Sequence, residues 1–258
     1  MKSISKILKG MGIAVTTTAA THAATITFSQ AVTMPNDTDV TILIPQFDAT
    51  TNMLPTDYSP VNKVVTGSQT TTVGATLESV TVTVTAFIAN ANVQMDNDAG
   101  QAQDGTARVQ NLVNNYSGPS TPDGLFQPHI ETADMQLNVS QVFNLDATSG
   151  DALGSFDVTS FGDYADWSPG SLQAGDSGLV NSAVYGSVYE GTGDLNFTIN
   201  STYTTSATFS GNDGYFQGNT PNGSFFVEVT YDFVPEPSSY AALTGLLMLA
   251  LVGVRRRR

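Results

Sequence analysis

The sequence predicts an all-β protein: an antiparallel two-sheet β-sandwich of jelly-roll type, flanked by an N-terminal signal helix and a C-terminal transmembrane helix. Three observations lead there. Apolar residues between Thr25 and Phe233 recur at every second position, not with the 3.6-residue period of a helix. Clusters of Gly, Asn, Asp, Pro and Ser cut that alternation into short runs. The two ends of the chain differ in composition from everything between them.

Residues 1–24 read as a secretory signal peptide. Lys2, Lys6 and Lys9 form a basic head, and a small apolar run follows from Met11 to Ala20. Small residues at the exit place cleavage at Ala23 or Ala24; Thr16, Thr17 and Thr18 interrupt the apolar run and leave the bond open between them.

Residues 25–233 form the body. Its clearest strand sets Leu195, Phe197, Ile199, Ser201, Tyr203, Thr205, Ala207 and Phe209 on one face and Asn, Thr and Ser on the other. Val80 to Ile88, Met135 to Leu145 and Phe225 to Phe233 repeat the pattern, as expected where one sheet face meets a core and the other meets water. Shorter candidates are Ile26 to Gln30, Val40 to Ile44, Ala107 to Val113 and Val184 to Tyr189. Turn-rich clusters at Asp96 to Gly105, Ser117 to Gly124, Ser149 to Gly154, Ser168 to Gly178 and Gly211 to Gly223 separate them. No helix is predicted between the ends. A sandwich of roughly eight to ten strands follows, with a closed barrel as the alternative.

Residues 234–258 form a tail. Val234-Pro235-Glu236-Pro237 precedes an uncharged run, Tyr240 to Val254, and then Arg255, Arg256, Arg257 and Arg258. As a helix, Pro237 to Val254 spans about 27 Å, close to a hydrocarbon core of about 30 Å. Four arginines resist translocation and would hold the body on the outer side.

The formal charge of −14 understates the acidity of the body. Seven of the nine Lys and Arg lie in the two ends, leaving Lys63 and Arg108, against 22 of the 23 Asp and Glu between Ala24 and Val234. Such a surface repels phosphate backbones, which excludes nucleic acid and favours cations, basic surfaces or neutral glycans. With no cysteine there are no disulfides, thiolate metal sites or cysteine nucleophiles.

The order Pro235-Glu236-Pro237, apolar helix, arginine cluster resembles the PEP-CTERM sorting tag. The resemblance implies that an exosortase in the membrane reads those three residues and cuts nearby, making the helix a temporary anchor after delivery by the general secretion machinery. The prolines hold the segment extended and outside the helix. The alternative is a permanent single-span anchor. Ile26 to Gln30, Ile44-Pro45-Gln46-Phe47-Asp48, Leu77 to Thr83, Gly191-Thr192-Gly193 and Phe226 to Tyr231 together resemble the choice-of-anchor E domain, with a longer stretch between Asp48 and Leu77 that reads as a loop or added hairpin. That resemblance implies no catalytic activity.

The remaining chemistry is sparse. His129 is the one histidine outside the signal segment, so a two-histidine metal site is excluded. Gly175-Asp176-Ser177-Gly178 is similar to the nucleophile segment of chymotrypsin-like proteases, but its surroundings do not match and it reads as a Gly-rich turn. Glycosidase chemistry needs two carboxylates facing one cleft, and no pairing is visible. Asp96 and Asp98, with Asp104, alternate oxygen ligands as calcium requires, although Gln101 stands where an EF-hand needs glycine. Trp167 and Tyr164 read as a loop over the core, or else as an exposed contact patch among Asp163 and Asp166. The expected function is that of an exported, non-enzymatic surface or matrix protein needing no cofactor. Extracellular polysaccharide is a candidate partner. The alternatives are a glycan-binding or calcium-dependent adhesive module and a secreted hydrolase.

Overall fold

The computed structural model describes residues 24–50, 63–67, 74–119, 130, 132–147, 156, 162–180, 188–211 and 213–234. The expected signal segment up to Ala23, the tail from Pro235 to Arg258, and His129 lie outside the described residues.

The strands are β1 (Ala24–Met34), β2 (Val40–Pro45), β3 (Lys63–Gly67), β4 (Thr76–Ala89), β5 (Val93–Asp96), β6 (Gln103–Ser117), β7 (Leu137–Leu145), β8 (Tyr164–Trp167), β9 (Leu172–Leu179), β10 (Asp194–Phe209), β11 (Tyr215–Gly218) and β12 (Asn222–Val234). The first sheet runs β3-β1-β12-β4-β9 and the second β2-β10-β6-β7, with every ladder antiparallel. If β3 and the three strands of a small third sheet, β11-β5-β8, are set aside, eight strands remain. Numbered along the chain, they lie in the orders 1-8-3-6 and 2-7-4-5, the double Greek key of a jelly roll.

Alternation builds the core. On β4, Val80, Val82, Val84, Ala86 and Ile88 are fully buried while Thr81, Thr83 and Thr85 lie on the outer face. The neighbouring β12 does the same with Phe225, Val227, Val229, Tyr231 and Phe233. Facing them from the second sheet are Ile42, Ile44, Val109, Leu195, Phe197, Ile199 and Tyr203. Each such side chain contributes about 1.5–3 kcal/mol by leaving water.

Two irregularities keep the faces in phase. At Asn200/Ser201 of β10 the register passes from Asn115 to Val113, so Asn114 is an extra residue in β6. At Asp232/Phe233 of β12 it passes from Ser79 to Leu77, so Glu78 is extra in β4 and points outward while Leu77 turns inward.

Strand directions define two poles. Ala24, the first residue of β1, pairs with Phe233 near the end of β12, so the chain enters and leaves the body side by side. At the opposite pole β4 ends against the start of β12, with Ala89 opposite Asn222. The small sheet sits there, each strand drawn from a different connection: β5 between β4 and β6, β8 between β7 and β9, and β11 between β10 and β12.

The structure corrects several expectations. Met135 belongs to a 3₁₀ turn, Thr132–Met135, and not to the strand that follows it. Val188 and Tyr189 are buried but lie outside the strands, and the rest of that expected strand is outside the described residues. Ser168 to Gly178 is not a turn cluster, because β9 occupies most of it. Gly211 to Gly223 likewise contains β11. β3 lies within the long stretch after Asp48.

Candidate functional site

The expected sites fall in different places. Ala24 is buried in β1. Ala23, the sorting motif Pro235, Glu236 and Pro237, and Arg255 to Arg258 lie outside the described residues, and among those described no helix is long and apolar enough to cross a membrane.

Two of the segments singled out in the sequence, around Gln46-Phe47 and Gly191-Gly193, meet at the entry pole. The Gln46 amide donates to the Val188 carbonyl at 2.6 Å and accepts from the Gly193 N–H at 3.0 Å. Backbone bonds from Gln46 to Gly193, Phe47 to Tyr189 and Gly191 to Phe47 complete the clasp. Gly191 is in positive φ (154°), which favours glycine, and a Cβ there would also push on Gln46 Oε1 and disturb the two hydrogen bonds of that amide. Above this clasp Phe47 packs on Tyr231 and Phe233, and the Tyr231 hydroxyl donates to the Pro45 carbonyl at 2.7 Å. Such a set of contacts fastens the loop; it presents no reactive group.

Gly175 to Gly178 lies in β9, an edge strand, and not in a turn. Alternation sends Ser177 outward and Asp176 inward toward Tyr116, so the two cannot act on one substrate atom. Gly175 leaves a shallow groove of about 390 Å³ over β4, bordered by Thr83, Thr85, Gln173 and Ser177. Among the described residues that line it there is no aromatic ring and no cationic group.

The richest polar chemistry lies at the far pole. Asn97, fully buried after β5, is a hub: its Nδ2 donates to the Gln101 and Asp146 carbonyls, and its Oδ1 accepts from Ala99 N–H and from Gln103 Nε2 at 2.6 Å. Its own N–H donates to the Asp163 carbonyl at 2.8 Å, while Gln103 reaches the Asp213 carbonyl and Gly211 N–H. One pair of amide side chains thus ties together the connections around the small sheet. Of the expected calcium set, Asp96 and Asp98 are buried here, but Asp104 lies exposed on β6. Asp163 is also fully buried at this pole, where its backbone carbonyl accepts from Asn97 N–H. Among the described residues no group of three His, Cys, Asp or Glu is arranged to hold a metal ion.

The small sheet has two unlike faces. Val93, Met95, Ala165 and Trp167 turn toward the core, so Trp167 packs inward as a strand residue and not as a loop. The other face carries one row of Gln217, Gln94 and Asp166, and a second row of Tyr215, Asp96 and Tyr164. Asp166 is fixed in place: it accepts from Asn92 Nδ2 at 2.6 Å and from Gln94 Nε2 at 3.3 Å. The Tyr164 hydroxyl also engages Asp166, and its pKa is raised by burial first and then by the Asp166 charge. Phe156 props the Tyr164 ring edge-on at 6.0 Å. Tyr215 is 40 % exposed.

No protein-family model matches the chain, and no curated protein matches it.

Proposed function

We propose that the protein is an exported, non-enzymatic component of the cell surface or extracellular matrix, sorted by an exosortase through Pro235, Glu236 and Pro237. The observation that supports this reading best is the pairing of Ala24 with Phe233. It brings the exit of the signal segment and the start of the sorting tag to one pole, and β12 ends at Val234, one residue before the motif. A body held by that end keeps its opposite pole, with the small sheet, away from the membrane. The Arg tail would act as the stop-transfer element.

The test is processing in an exosortase-bearing host. Changing Pro235, Glu236 and Pro237 to alanine should leave a longer form in the membrane fraction, whereas the parent is shortened and released to the outer surface. Unchanged processing would refute the sorting role, and parent protein held in the cytoplasm would refute export.

A calcium-dependent adhesive form of this reading has one observation behind it, the burial of Asp96, Asp98 and Asp163 at the far pole, although the three are not arranged as a metal-ligand group. Hard oxygen donors suit calcium, which also accepts backbone carbonyls. Calcium at millimolar concentration should then raise the Tm, and a chelator should reverse the rise. A Tm indifferent to both would dispose of this form.

A further inference from the structure

We propose that the outward face of the small three-stranded sheet binds an uncharged polysaccharide. Tyr164 and Tyr215 would serve as stacking rings, and Asp166, Gln94, Asn92 and Gln217 as hydrogen-bonding groups. The proposal rests on the exported reading in that such a polymer is met outside the cell and that an anchored body turns this pole outward.

Four observations carry it. The face is assembled entirely from the connections at the pole opposite the chain ends, so an anchored body presents it outward. Its residue chemistry is that of hydroxyl recognition: planar amides donate to and accept from neighbouring hydroxyls, a carboxylate accepts from them, and tyrosine offers an apolar ring with a polar tip at little rotamer cost. The hydrogen-bonding groups are already ordered, because Asn92 and Gln94 hold Asp166 before any ligand arrives. Finally, Tyr215 and Tyr164 stand on strands two ladders apart, about 10 Å, on either side of the fully buried Asp96, which is itself out of a ligand's reach; the span suits a chain of sugars more than a single one.

Charge selects the class of polymer. With 22 acids against two Lys or Arg, the body repels uronate, sulfate and phosphate polymers. Arg108 sits elsewhere, exposed on the second sheet between the positions of Ser140 and Ser206. An uncharged glycan has no such barrier. The β9 groove is the weaker candidate because it offers hydroxyls without a ring to stack on.

The experiment is affinity electrophoresis of the full-length protein in mild detergent. Separate gels contain hydroxyethylcellulose, arabinoxylan, galactomannan or dextran, with polygalacturonate as the charged control. At least one neutral polymer should retard the protein and polygalacturonate should not. Tyr164→Ala and Tyr215→Ala should each weaken retardation about tenfold, equivalent to about 1.4 kcal/mol. Tyr164→Phe should keep most of the binding, and Gln110→Ala on the second sheet should change nothing. Circular dichroism on each variant separates lost binding from lost fold, and an Asp166→Asn variant, nearly isosteric, tests the face if an alanine variant fails to fold. The proposal is overturned by no retardation in any neutral gel, by retardation indifferent to both tyrosines, or by stronger retardation in polygalacturonate. Purified protein is used throughout, so a negative result leaves sorting untouched, and failed sorting leaves the binding result intact.

Discussion

Gly223 on β12 lies directly beneath the ring of Tyr203, which crosses from the second sheet and is only 2 % exposed. A Cβ at Gly223 would fall 1.9 Å from Tyr203 Cζ, and a buried ring has nowhere to swing. Gly223→Ala should therefore destabilise the fold by about 1–3 kcal/mol, read from urea unfolding midpoints. An unchanged midpoint would show that the ring moves freely. Tyrosines also set the alkaline limit. Burial raises the phenols of Tyr116, Tyr189 and Tyr231, and pushes Tyr203 up to about 12. Because the unfolded phenols ionise near 10, the unfolded state binds fewer protons above that pH. Stability should be indifferent to these groups below about pH 10 and fall as the pH rises beyond it. The tyrosinate absorbance of these four should appear together with unfolding; ionisation of all nine tyrosines with the fold intact would contradict this. At this scale the sequence showed Asp96 and Asp98 but considered Asp163 only for an exposed patch with Tyr164, whereas it is buried beside Asn97, which is far away in the chain and brought close by the β5–β8 ladder.

The bulge in β6 makes a prediction about an element. On either side of Asn114 the inward residues are already in phase, with Val113 opposite Ser201 and Tyr116 opposite Ile199. Deleting Asn114 leaves those pairs standing and removes chiefly its amide bonds to Asn200 and Thr202. The cost should be about 1–3 kcal/mol with the fold kept. Deleting Gln110, in the regular part of the ladder, should send one side of β6 to the wrong face and abolish cooperative unfolding. Equal behaviour of the two deletions by circular dichroism melting would contradict the assignment. The same reasoning explains what could be read from sequence. β4, β10 and β12 were legible because each sustains alternation over nine or more residues within a strand of at least 13. β5, β8 and β11 have four residues each, too few for a period to stand out, and exist because they pair with one another. β9 was hidden by Gly175, Asp176 and Gly178, residue types depleted in strands. It forms because β4 offers a free edge, and Gly175 fits where a Cβ would come within 2.6 Å of the Val84 carbonyl oxygen.

For the whole molecule, the excess of acids predicts a stability that depends on salt. Raising NaCl from about 0.01 M to about 0.15 M shortens the screening length from about 30 Å to about 8 Å. Self-repulsion in the native body should weaken, and the Tm should rise over that range and then level off. A Tm that falls with salt would mean that attractive pairs outweigh repulsion. The jelly-roll class was legible because strand alternation and turn spacing are local. The third sheet was not, since it depends on three connections meeting at one pole. The position of the last strand has one further consequence. β12 is bonded on both sides, through 11 register pairs to β1 and 13 to β4, and the tail leaves from its end. Tension applied between an anchor at Val234 and a grip on the opposite pole would run along the axis of β12. Both ladders would then be loaded in shear, so their bonds would have to give way together and could not open one at a time like a zip.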